Sequence, residues 1–117
     1  MVSAIARVEV PAALWAKEQL GELDPADAEV LVTSFAADFH GTAEEAPAFA
    51  AVAVVPAVLV SAADQAAVHG LRAYDALQLA SGLAARAADP GCDRFACFDW
   101  ELGAAAARAG FALVPGA

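Results

Sequence analysis

Basic side chains are scarce in this chain: six Lys and Arg stand against fifteen Asp and Glu, for a net charge of −9 and a pI near 4.3. A surface of that sign repels polyanions at long range, which excludes a protein that coats nucleic acid non-specifically. Cysteine is nearly absent as well. Cys92 and Cys97 are too few and too closely spaced for a disulfide framework, and no His stands near them to complete a zinc set, so they read as reduced, buried thiols. Long apolar runs are missing too: the longest uncharged stretch, Ala46 to Ala63, has 18 residues, close to the lower limit for a bilayer span. Pro47 and Pro56 interrupt it, much of the rest is Ala and no Lys or Arg cluster flanks it, so it reads as a buried strand followed by a helix. The start, Met1-Val2-Ser3, has no basic region leading into an apolar run, so no signal peptide and a cytoplasmic location are expected. With no internal repeat and no low-complexity linker, residues 1–117 are expected to form a single domain.

What is abundant is alanine. The apolar fraction is 61% and the mean hydropathy +0.57, yet 35 residues are Ala, which adds little transfer energy per residue. Disorder is excluded, and a chain of 117 residues can bury one sizeable core. After Ser3, a candidate N-cap, the run Ala4 to Leu20 sets Ile5, Val8, Ala12, Trp15 and Ala16 along one helical face, with Gly21 as its stop. Pro11 should kink that helix or divide it. Asp24-Pro25 restarts a helix that runs to about His40 and ends at Gly41. Thr42-Ala43-Glu44-Glu45 has the capping-box form and predicts a short helical segment.

The period then changes. Val52 to Val55 is short, β-branched and closed by Pro56, as suits a strand buried on both faces, and Val58 to His69 returns to helical spacing up to Gly70. A helix from Ala73 to Ala88 follows, then a turn at Asp89-Pro90-Gly91 and a strand from Phe95 to Phe98. The chain closes with a helix from Trp100 to Ala109, Gly110 as a C-cap and a strand from Phe111 to Val114. Strands alternating with helices predict an α/β fold with a parallel sheet and helices on its faces.

In such a sheet chemistry sits at the carboxyl ends of the strands. Asp99 stands there, directly after Phe98, and either caps the next helix or projects into the crevice above the sheet. Asp75 lies in the first turn of a helix almost free of charge through Ala85, where the helix dipole alone also favours an acid. Glu9 sits among Val8, Val10, Pro11 and Ala12, where burying a carboxylate needs a partner, although a solvated face also accounts for it.

The contexts of these three acids together resemble one family. Ser3-Ala4-Ile5-Ala6-Arg7-Val8-Glu9-Val10 resembles the Ser-to-Glu helix of the VapC-type toxins, which are PIN-domain ribonucleases of bacterial toxin–antitoxin pairs. His69 to Ala80, with Tyr74-Asp75-Ala76-Leu77, is similar to their second acidic motif, and Phe95-Ala96-Cys97-Phe98-Asp99-Trp100-Glu101-Leu102 to the third. The resemblance spans essentially the whole chain. It implies a three-layer α/β/α PIN-like fold and a Mg2+- or Mn2+-dependent endoribonuclease, with Glu9, Asp75 and Asp99 as metal-binding, catalytic acids. Hard divalent cations take oxygen ligands, and crowded carboxylates hold raised pKa values until a cation neutralises them. Arg7 and Arg72, each near a motif acid, are candidates to hold the substrate phosphate or to pair with a carboxylate.

The chain also departs from that family's pattern. PIN domains begin with an apolar strand ending in Asp, and here neither that strand nor the first helix has a counterpart, so an N-terminally truncated fold is expected, or a sheet completed by a partner chain. Cys97 stands where many relatives carry Thr. The expected partners are an RNA substrate, a cognate antitoxin and a second copy of the chain. Trp15, Leu31, Phe35 and Phe39 on the first two helices, with an open sheet edge, are what suggest the homo-oligomer. The alternative is a non-catalytic PIN-like module that dimerises or sequesters an antitoxin.

Overall fold

The computed structural model describes residues 1–115. The order of elements is β1 (Val2–Ser3), α1 (Ala6–Gln19), α2 (Pro25–His40), β2 (Ala51–Val52), α3 (Pro56–His69), α4 (Ala73–Ala88), β3 (Arg94–Ala96), α5 (Trp100–Arg108) and β4 (Ala112–Val114). This is a mixed α/β chain, rich in helix, with short strands. The strands pair two by two, β1 with β2 and β3 with β4, where a sheet joining Val52–Val55 to the later strands was expected. No helix among the described residues is long and apolar enough to cross a membrane. Two compact units emerge, one of Val2–Ala51 and one from Val52 onward that also includes Met1.

In the first unit α1 and α2 pack as a helical hairpin. Ser3 is buried in β1, where Val2 donates its N–H to the Ala50 carbonyl at 2.9 Å; the cap position of α1 falls to Ile5, and Ser3 Oγ accepts the Ile5 N–H at 3.3 Å. The helix therefore opens later than Ala4. Pro11 does not divide it: α1 is one helix of 14 residues, in which the Arg7 carbonyl forgoes the bond that Pro11 has no N–H to make. The predicted inner stripe is not what packs. Val8 is 63% and Trp15 40% exposed, and the buried residue of α1 is Ala6; so much Ala leaves the helical period too faint to choose a face.

Asp24, Pro25 and Gly41 delimit α2 as expected, although the Asp24 side chain makes no capping bond. Phe35, on this helix, rests against Phe39 and Phe49 with ring centroids 5.8 and 6.1 Å away. The helix expected after Thr42 does not form. Thr42 Oγ1 does accept the Glu45 N–H at 3.1 Å, but the Glu45 carbonyl turns back onto the Thr42 N–H at 2.8 Å. Pro47 also has no N–H to give Ala43, which removes a bond that a second turn would have made. Val52–Val55 differs as well: β2 ends at Val52, and Ala53 and Val55 are exposed, because Val55 is already the extended cap of α3.

The second unit holds the larger core. α3 lies along α4, and α4 and α5 cover one face of the parallel pair β3–β4, joined in β–α–β order by α5. α4 follows the predicted limits of Ala73 and Ala88 and buries Ala76, Leu77, Leu79, Ala80, Ser81 and Ala85. Small side chains bring it close to the strands. A Cβ on Gly82 would stand 2.9 Å from the Phe95 ring, which stacks at 5.5 Å on Phe111. Arg86 closes that cluster from above, 4.3 Å over the Phe111 ring, and donates to the Ala109 carbonyl at 2.9 Å. Phe95 and Cys97 are the half-buried positions of their strand; Arg94, Ala96 and Phe98 alternate with them and are exposed.

Gly41 is the most constrained turn. Its φ of 77° and ψ of 177° lie where essentially only glycine goes, and a Cβ there would meet the Glu45 carbonyl oxygen at 2.8 Å and Pro47 at 2.9 Å. Gly41→Ala is expected to destabilise the protein by about 1–3 kcal/mol. Gly21→Ala, at φ 76° with nothing within 4 Å, should cost less. Urea unfolding of the two variants side by side checks the difference.

Candidate active site

Two of the three acids singled out in the sequence come together. Asp75 is in the first turn of α4, and Asp99, three residues past the end of β3 at Ala96, is the N-cap of α5; the strand stops two residues short of the expected Phe98. The cap is real: Asp99 Oδ2 accepts the Leu102 N–H at 2.9 Å, so of the two roles open to it the capping role is made. That bond fixes the orientation of the carboxylate. Its charge is still felt across the gap. Asp75 is half-buried, and its carboxyl is held above the usual carboxylate range, first by burial, then by the negative charge of Asp99, with Glu101 adding to the effect and Arg72 opposing it.

Cys97 belongs to the same neighbourhood. Its thiol is also pushed up, by burial first and then by Asp99 and Asp75, and Sγ lies 3.7 Å from the Asp99 carbonyl, to which it donates. A thiol held protonated beside two carboxylates is a poor nucleophile. Both cysteines are free and half-buried, less enclosed than expected. Glu101 carries the signal that sequence reasoning passed over: an acid in the first turn of α5, two residues beyond Asp99, falls within electrostatic range of the same point.

Glu9 is half-buried in the first turn of α1 and belongs to the first unit. Arg7 donates from Nε to His40 Nε2 at 2.6 Å, a neutral acceptor rather than the carboxylate considered for it, because the hairpin sets the end of α2 beside the start of α1. Arg72 precedes α4 as its cap residue, exposed and close enough to Asp75 to lower that carboxyl's pKa.

Among the described residues no three His, Cys, Asp or Glu side chains converge tightly enough to hold a metal ion by themselves. The donors that do approach one another, Asp75 and Asp99, are hard carboxylate oxygens. They suit a cation such as Mg2+, which keeps much of its water shell and is held through one or two carboxylates plus substrate phosphate. No protein-family model, curated protein or solved structure matches the chain.

A carboxyl whose pKa is raised by folding binds more protons in the native state than in the unfolded one, so it withdraws stability as pH climbs from the unfolded value through the raised one. Asp75→Asn is therefore expected to raise Tm at pH 7, with the gain vanishing below the ordinary aspartate pKa; thermal melts across pH test this. Asp99→Asn keeps an acceptor for the Leu102 N–H, whereas Asp99→Ala loses about 1 kcal/mol with the cap. A melt in which the two variants behave alike would contradict the capping role.

Proposed function

We propose that this chain is a metal-dependent endoribonuclease of the PIN type, with Asp75 and Asp99 as its metal-binding acids and Glu9 as a third. The observation that carries this is the mutual approach of Asp75 and Asp99 at the carboxyl end of β3, where the charge of one holds up the pKa of the other. In the absence of a cation such a pair is costly, and a divalent ion relieves it. The chain's own contribution is then specific. Asp99 is held in place by the α5 cap, Asp75 lies within reach of its charge with its carboxyl held above the usual range, and Arg72, beside Asp75, would offer a guanidinium to a phosphate oxygen. A bound Mg2+ or Mn2+ supplies positive charge for the phosphoryl oxygens and a water of lowered pKa.

In the fuller form of this proposal, the fold is the three-layer α/β/α PIN architecture, and the protein is the cytoplasmic toxin of a toxin–antitoxin pair, dimeric and inhibited by its antitoxin. The parallel β3–α5–β4 unit supports it, together with the three motifs in their family order. A second proposal, a binding module without catalysis, draws on the apolar residues that the first unit leaves exposed, with Trp15 at 40%, Leu20 at 75%, Val30 at 63% and Leu31 at 43%.

A Mg2+ or Mn2+ titration followed by thermal unfolding separates the two. A ligand that binds only the folded state adds about 2.7 kcal/mol at 100 times its dissociation constant. The nuclease predicts a rise that Asp99→Asn abolishes, a response that weakens as Asp75 protonates at low pH, and RNA cleavage lost in Asp75→Asn. Stability indifferent to the metal, with no cleavage, would favour the binding module.

A further inference from the structure

We draw no further inference here: the strongest candidate, the apolar groove between α3 and α4 lined by Leu59, Ala62, Ala66, Tyr74 and Leu77, is a surface for which nothing in the structure shows what covers it.

Discussion

The burial of α4 is the constraint on which the second unit depends. The helix packs against α3 and α5, Gly82 on it faces the Phe95 and Phe111 rings of the strand layer, and Leu79 among its six buried residues has no exposed surface. Four of the six are Ala or Ser, so the stabilisation comes less from large side chains than from close approach, which brings the helix near enough to β3 for Gly82 to touch the Phe95 ring. That depth of burial also governs the chemistry. The first turn of α4 ends where the packed region begins, leaving Asp75 half-buried, with burial the largest cause of its raised pKa.

Site and core thus impose opposite demands on the same few residues. Asp99 stabilises α5 by capping it, and at the same time its charge burdens Asp75. A structural ion pair would have placed a base against each acid; here Arg72 is the one base that eases Asp75, while Asp99, Glu101 and burial all act against it. Carboxylates gathered at a cost to the fold are what a cation site requires and what a stability-driven surface avoids. The exposed rings of Phe98 and Trp100 follow the same logic, since apolar surface in water is another cost concentrated at the carboxyl end of β3.

Much of this was legible from the chain itself, and unevenly so. Asp24-Pro25 with Gly41, Pro56 with Gly70, and the limits of α4 were readable because caps and breakers act through local backbone sterics. The inner face of α1 was not: with Ala on every side the apolar period is weak, and Val8 and Trp15 turned outward. The capping box at Thr42 misled for a related reason. Its side-chain bond formed as the pattern implies, but a cap only begins a helix, and Pro47 withheld a bond of the next turn.

At the candidate site the division is sharper. Sequence alone determined which side chains carry charge, that Asp75 lies in the first turn of a helix and that Asp99 caps one, because each depends only on neighbours along the chain. Whether those carboxylates would interact depended on the packing of α4 and α5 against β3, contacts between residues distant in sequence. Tertiary structure decided that Arg7 meets His40 and that two aromatic rings stand in water. Local sterics are written into adjacent residues, whereas electrostatic coupling and exposure exist only once the chain has brought remote segments together.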